Sequence, residues 1–128
     1  MMAMRVHFDW DRLITHIGGR RIAVASTPAG WLPGHGPLAD SLSAQADVRG
    51  FLALEHGLRG EWQDGVHFDT TVDERTGAPV FSFFGKTHTF PREFLAGVDA
   101  VVFHTQDISH RAYTYKEALA DTLRSEER

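Results

Sequence analysis

Four short apolar segments constrain the fold of this chain more than any other feature of its sequence. Few polar residues interrupt them, whereas a strand with one face in solvent would alternate between apolar and polar side chains. Segments typical of helices and loops lie between them. The pattern therefore predicts an α/β domain of three layers, with a mostly parallel sheet covered on both faces. The predicted strands are, in order, Arg21 to Ser26, Gly50 to Leu54, Val80 to Phe84 and Ala100 to Thr105.

Short helices are predicted between and around these strands. Apolar residues spaced three and four apart indicate the first helix, and the Gly18-Gly19 pair ends it. Because the third helix can carry the chain back across the first strand, the predicted strand order is 3-2-1-4. The predicted helices are Phe8 to Ile17, Leu38 to Ala46, Pro91 to Leu95 and Tyr113 to Arg124.

Two connections are predicted to be loops. Thr27 to Pro37 is dense in glycine and proline, and Glu55 to Pro79 has no convincing period and contains several turn signals. We interpret the second as an excursion with turns and a small hairpin. Loops of that length inside compact domains are usually functional.

Length and composition limit the classes of protein that the chain can belong to. With 128 residues, 42% hydrophobic and 23% charged, it is predicted to be one globular domain spanning residues 1–128. A net charge of -4 and scattered arginines argue against nucleic acid as a partner. No apolar run has the length of a signal sequence or membrane span, so we expect no membrane association and, by default, a cytoplasmic protein.

Polar side chains follow the predicted strands at their carboxyl ends, where ligands bind in open parallel sheets. Glu55, His56 and Arg59 come directly after the second strand, and Gln106 and Asp107 after the fourth. We therefore expect these residues to meet at one edge of the sheet.

Their chemistry leaves two interpretations open at each position. Glu55 can act as a general acid if partial burial raises its pKa, or it can cap a helix or pair with Arg59. Asp107 can supply a second carboxylate or cap a turn. Arg59 and Arg111 can bind an anionic group through paired hydrogen bonds or form surface ion pairs. Trp31 and Trp62, both in loops near the expected crevice, can stack on a sugar or pack under a long loop.

No cofactor or metal is predicted. The 8 histidines include no HExxH or comparable helical ligand pair, and the absence of cysteine removes thiolate ligands. The glycines of TPAGWLPGHG make neither GxGxxG nor a P-loop, which argues against dinucleotide and ATP binding.

The motifs STPAG, LEHGLRG, DERTGAPVFSFFG and LAGVDAVVFHTQDISHRAYTY occur in this order along the chain. Together they resemble the N-terminal domain of the NamZ-type exo-β-N-acetylmuramidases, formerly a domain of unknown function, from about Gly18 to Leu123. The resemblance implies a Rossmann-like domain, release of N-acetylmuramic acid from non-reducing ends of peptidoglycan fragments, and no cofactor. It implies that Glu55, the glutamate of EHGxRG, is the catalytic residue. The other positions that match the family pattern are site candidates, of which we predict Asp107 to be catalytic and the rest to bind substrate: His56, Arg59, Gln106, Arg111, Tyr113 and Tyr115.

The sequence also departs from the family pattern. A usual asparagine is Thr27, a proline is Leu54 and an aspartate is His104, while a glycine and an alanine are Ser109 and His110. Family members are longer and have a second domain that closes the cleft. We expect that domain to be absent here, and self-association across the open cleft could restore a wall.

Two functions follow from the resemblance. The first is a glycosidase domain, whole or truncated, that acts on muramic acid glycosides and has weak or no activity in isolation. The second is a non-catalytic, vestigial domain that still binds a muropeptide or another saccharide containing muramic acid.

Overall fold

The computed structural model describes residues 9–27, 30–32, 34–54, 70–83, 90–104, 119–120 and 123–124. The helices are α1 (Trp10–Ile17), α2 (Leu38–Ser43) and α3 (Arg92–Leu95). The strands are β1 (Arg21–Ser26), β2 (Trp31–Leu32), β3 (Gly36–Pro37), β4 (Asp47–Ala53), β5 (Thr71–Val72), β6 (Pro79–Ser82) and β7 (Ala100–His104).

The main sheet has the strand order β5-β6-β4-β1-β7. Strands β6, β4, β1 and β7 are mutually parallel, and β5 pairs antiparallel with β6. The predicted α/β class with a mostly parallel sheet is therefore confirmed. The order 3-2-1-4 holds for the four parallel strands and differs in detail because β5 extends the sheet beyond β6. Both β5 residues are exposed, so no apolar pattern marked this strand in the sequence.

Two apolar clusters cover the two faces of the sheet and make the predicted three layers. On one face, Ile17 of α1 and Leu42 of α2 pack with Val24 of β1. On the other, Phe94 and Leu95 of α3 pack against a buried cluster that includes Leu52 of β4. Because β1 lies between both layers, its residues from Ile22 to Ser26 are all buried, as the continuous apolar run predicts.

The ends of α1 follow from its sequence. Asp9 precedes the helix, and its carboxylate accepts a hydrogen bond from the Arg12 backbone N–H at 3.1 Å. At the other end, the Gly18 N–H donates to the Ile14 carbonyl at 2.8 Å. Gly19 has φ +72, a left-handed conformation that glycine adopts without a steric penalty. The chain then turns directly into β1.

The structure corrects several predicted boundaries. The loop predicted over Thr27 to Pro37 contains a two-stranded hairpin of β2 and β3, so that prediction is wrong. Gly34 and Gly36 have positive φ values and allow the tight reversal. Helix α2 ends at Ser43 instead of Ala46, because residues 44–46 form the turn that leads into β4.

Two further predicted segments are described in part. β5 and β6 form a hairpin at the end of the predicted excursion, while residues 55–69 lie outside the described residues. Most of the predicted terminal helix also lies outside them. In the part of the chain that the structure describes, no helix combines the length and apolar character needed to cross a membrane.

Candidate functional site

The four parallel strands end at the same edge of the sheet. Ser26, the last residue of β1, is the register partner of Ala53 in β4 and of His104 in β7. Ala53 is in turn the partner of Ser82, the last residue of β6. The carboxyl ends therefore form one row, which is where a parallel sheet of this kind places its ligand crevice.

Buried polar side chains concentrate at this edge. Ser26, Thr27 and Ser82 are 2%, 4% and 4% exposed, although each carries a hydroxyl group. Buried hydroxyls normally have a hydrogen-bond partner. Ser26 Oγ lies 3.4 Å from the Thr27 carbonyl oxygen, a long contact, and within the described residues no partner reaches Thr27 Oγ1. The strand-end edge is therefore lined by buried hydroxyl groups and is polar.

The backbone after β1 passes very close to the neighbouring strand ends. The Gly30 N–H donates to the Thr27 carbonyl at 2.9 Å and closes a turn. A Cβ atom on Gly30 would lie 2.3 Å from Ser26 Oγ and 3.6 Å from His104 Nδ1. Since the first distance is far inside van der Waals contact, only glycine fits between these two side chains.

His104 is the titratable group that the described structure places at this edge. Its imidazole is half-buried at the end of β7. Burial lowers the pKa of His104 from its ordinary value, and a hydrogen bond with its own backbone acts weakly in the opposite direction. At neutral pH the imidazole is therefore uncharged and can both donate and accept a hydrogen bond.

The predicted site residues all lie outside the described residues, and their roles stay predictions. They are Glu55, His56, Arg59, Gln106, Asp107, Arg111, Tyr113 and Tyr115. Thr27 and His104 were predicted only as departures from a family pattern, not as site residues. Their position at strand ends is the sequence signal that could have identified them, but the strand register was needed to bring them together.

Trp31 stands at the rim of this edge. It follows Gly30 directly and is 63% exposed, whereas Leu32, the next residue of β2, is 1% exposed and packs in the core. The predicted alternative of packing under a loop concerns the segment from Glu55 to Pro79, most of which lies outside the described residues, so it stays a prediction. Trp62, the other tryptophan predicted near the crevice, lies outside the described residues.

Other possible sites are weaker. Among the described residues, no group of three or more His, Cys, Asp or Glu side chains is placed to hold a metal ion. An open surface cavity of about 480 Å³ lies between α2, the amino end of β4 and the β5–β6 turn, and the Arg75–Asp40 ion pair is part of its lining. It is at the opposite edge from the strand ends.

The chain matches a known protein family over residues 22–128, and that family is described as the N-terminal domain of the exo-β-N-acetylmuramidase NamZ. The match includes all of the described strands except the first residue of β1.

Individual relatives agree with this match. The peptidoglycan β-N-acetylmuramidase NamZ of Bacillus subtilis (strain 168) is 36% identical over 104 residues, which are 80% of this chain and 25% of that protein. The crystal structure of a DUF1343 family protein from Bacteroides fragilis superposes with a TM-score of 0.71 and 28% identity, over 87% of this chain and 28% of the other. The chain thus spans about a quarter of the length of these relatives.

Proposed function

The chain belongs to the family of exo-β-N-acetylmuramidase NamZ N-terminal domains, and we propose that its strand-end edge binds N-acetylmuramic acid at the non-reducing ends of peptidoglycan fragments. Its Bacillus relative carries the name of a peptidoglycan β-N-acetylmuramidase. The proposed reaction is hydrolysis of the glycosidic bond that joins this terminal sugar to the rest of the fragment.

The alignment of the strand ends carries the proposal. Ala53 and His104 flank Ser26, so β4 and β7 end at the same edge of the sheet as β1. Glu55 is the second residue after Ala53, and Asp107 is the third after His104. The segments that hold the two predicted carboxylates therefore start from the same edge, on either side of β1.

In the proposed mechanism Glu55 is the general acid that protonates the leaving glycosidic oxygen. Asp107 either activates water or orients the substrate. An inverting glycosidase uses two carboxyl groups about 6.5 to 9.5 Å apart, with the water between them. Retention assisted by the substrate's own N-acetyl group needs no second nucleophilic carboxylate from the protein, and the proposed site supports either course.

Recognition of muramic acid requires a positive group, because its lactyl carboxylate is what distinguishes it from N-acetylglucosamine. Arg59 and Arg111 are the proposed partners of that carboxylate. A guanidinium can donate two parallel hydrogen bonds to a carboxylate, which provides both strength and geometric selection. His56, Gln106, Tyr113 and Tyr115 are proposed to bind the hydroxyl and acetamido groups of the same sugar.

The 128-residue chain is proposed to bind better than it hydrolyses. Pockets that enclose a small ligand are often found where two domains meet. An exposed glutamic acid has a pKa of about 4.3, so well under one per cent is protonated at pH 7. A crevice that no second domain encloses would therefore hold a weak general acid, and this applies to the 128 residues tested alone.

Release of a chromophore from a β-N-acetylmuramic acid glycoside tests the proposal. We expect slow release by the wild type and none by Glu55→Gln, which keeps the side-chain size but cannot donate the proton. Glu74→Gln is a matched control, since Glu74 is exposed in the β5–β6 turn. It should release the chromophore at the wild-type rate.

The outcomes separate the two candidate functions. Release that is unchanged in Glu55→Gln would contradict the assignment of the general acid. Binding of the sugar without any release would favour the non-catalytic muropeptide-binding domain.

A further inference from the structure

We propose that Trp31 forms a second sugar subsite, which stacks on the N-acetylglucosamine unit bonded to the terminal N-acetylmuramic acid. The inference rests on the proposed function, because it assumes that muramic acid occupies the strand-end crevice. It extends the proposed site to the N-acetylglucosamine unit, which belongs to the leaving group of the reaction.

The exposure of Trp31 is the first observation. Its side chain is 63% exposed, the highest value among the large apolar residues that the structure describes as exposed. An indole of this size normally contributes to a core or an interface, because it carries a large apolar surface. Trp10 of the same chain, in contrast, uses its indole for an internal contact, since it stacks on His35 with ring centroids 4.7 Å apart.

The backbone around Trp31 is held by pairing across the hairpin and by core packing. Trp31 pairs with Pro37 across the β2–β3 hairpin, and the Gly30 carbonyl accepts a hydrogen bond from the Leu38 N–H at 2.7 Å. Leu32 anchors the same strand in the core. A tryptophan side chain has only two rotatable bonds, so on a backbone held in this way it loses little conformational entropy on binding, as a stacking surface requires.

The location of Trp31 indicates which sugar of the substrate it would contact. Its neighbour Gly30 lies against Ser26 and His104 at the strand ends, and adjacent Cα atoms are about 3.8 Å apart. Trp31 therefore lies beside the crevice, on the β2–β3 hairpin. A terminal sugar held at the strand ends would extend its reducing side outward, and the next sugar would meet the rim.

The chemistry of that sugar fits an indole. One face of a β-linked N-acetylglucosamine ring presents aliphatic C–H groups, which are attracted to the negative face of an aromatic ring. The indole Nε1–H can also donate a hydrogen bond to an acetamido carbonyl. N-acetylglucosamine has no carboxylate, so this contact needs no cation.

Calorimetric titration of two ligands tests the subsite. One is the methyl glycoside of N-acetylmuramic acid, and the other is the disaccharide in which N-acetylmuramic acid is β-linked to methyl N-acetylglucosaminide. Glu55→Gln serves as the parent protein so that neither ligand is consumed. We expect the disaccharide to bind about 5- to 10-fold more tightly than the monosaccharide.

Substitutions on this parent identify the source of the gain. Trp31→Ala should abolish the preference for the disaccharide and leave affinity for the monosaccharide unchanged, whereas Trp31→Phe should keep most of the preference. Val72→Ala is the matched control, because Val72 is also strongly exposed but lies on β5 at the far end of the sheet. It should change neither affinity. Thermal unfolding of each variant should match the parent within about 2 °C, since surface substitutions change stability little.

The opposing results are distinct. A disaccharide preference that persists in Trp31→Ala, or an equal loss of affinity for both ligands, would overturn the subsite while leaving the proposed function in place. Loss of self-association in Trp31→Ala, measured by sedimentation, with unchanged sugar affinity would assign the indole to a contact between copies. If neither ligand bound the parent, the proposed function would fail and the subsite with it.

Discussion

Ala53 and His104 lie on opposite sides of one residue, Ser26, in the register of the parallel sheet. Because neighbouring strands are about 4.8 Å apart, the ends of β4 and β7 are separated by about 10 Å. Glu55 and Asp107 follow these two ends in the sequence. Side chains leaning toward each other from such positions could reach the separation of an inverting carboxylate pair.

Asp107→Asn should lower hydrolysis by about 100-fold while leaving the affinity for the sugar nearly unchanged, because a general base or an orienting carboxylate acts mainly in the transition state. The anomer released first, observed by proton NMR, then identifies the role. The α anomer indicates inversion with Asp107 as the base, and the β anomer indicates assistance by the substrate's acetamido group. Full activity in Asp107→Asn would remove this residue from the mechanism.

Gly30→Ala should destabilise the fold by about 1 to 3 kcal/mol, because an added methyl group must displace well-packed neighbours. Its Cβ would lie 2.3 Å from Ser26 Oγ and 3.0 Å from the Thr27 carbonyl oxygen. Gly97→Ala is the control, since its Cβ would make an ordinary contact at 3.7 Å. Urea unfolding measures both variants, and equal stabilities would contradict the close approach described at Gly30.

His104 should make the free energy of unfolding depend on pH below neutrality. Burial lowers its pKa in the folded state, and the unfolded chain has a value of about 6.5. The neutral imidazole therefore contributes its full stability above about pH 6.5, and this contribution decreases as the pH falls through the lowered folded pKa.

Urea unfolding between pH 5 and pH 7.5 checks this expectation. His104→Asn should flatten the dependence of stability on pH, whereas His16→Asn, on an exposed position of α1, should keep it. If the unfolding free energy of His104→Asn depended on pH as steeply as that of the wild type, other groups would cause the acid sensitivity.

The ion pair of Arg21 and Asp99 should contribute a small, salt-sensitive stabilisation. The Arg21 side chain donates to Asp99 Oδ1 at 2.8 Å and to Oδ2 at 3.1 Å, and its backbone N–H also donates to Oδ2. These hydrogen bonds lower the pKa of Asp99 to about 2, and the hydrogen bond from the Arg21 side chain has the largest effect. The stabilisation is thus present above pH 3.8 and is lost as the pH falls toward 2.

Asp99→Asn should therefore reduce stability at pH 7 and weaken the loss of stability between pH 4 and pH 2. Because the pair is exposed, 1 M salt should remove most of the difference from the wild type. Glu74→Gln is the control, since Glu74 is an exposed carboxylate in the β5–β6 turn and is not one of the charges that act on Arg21. A difference that survives high salt would point to packing instead of charge.

The main strands could be predicted because their burial leaves a direct trace in the sequence. β1 is buried from Ile22 to Ser26, and its predicted bounds agree with the structure. The hairpin of β2 and β3 left no such trace, because each strand has two residues and their pairing depends on positive φ at Gly34 and Gly36. A small hairpin was predicted in the excursion that contains β5, but both β5 residues are exposed, so no apolar pattern marked its position.

The site was predictable to a lesser degree. Residues at strand ends indicate which edge of the sheet holds the crevice, but they do not tell which side chains meet. The approach of Gly30 to Ser26 and His104 depends on the register of β1 and β7 and on the turn after β1. Distances of this kind arise from tertiary packing, so no local pattern predicts them.

Calorimetric titration of the wild-type chain with N-acetylmuramic acid and N-acetylglucosamine tests the central claim most directly. The two sugars differ by the lactyl group, so the comparison isolates the proposed contact with Arg59 or Arg111. We predict that N-acetylmuramic acid binds at least about tenfold more tightly, as expected for a hydrogen-bonded charge pair. Arg59→Ala or Arg111→Ala should abolish that preference. Equal affinity of the wild type for both sugars would contradict the proposed muramic acid site.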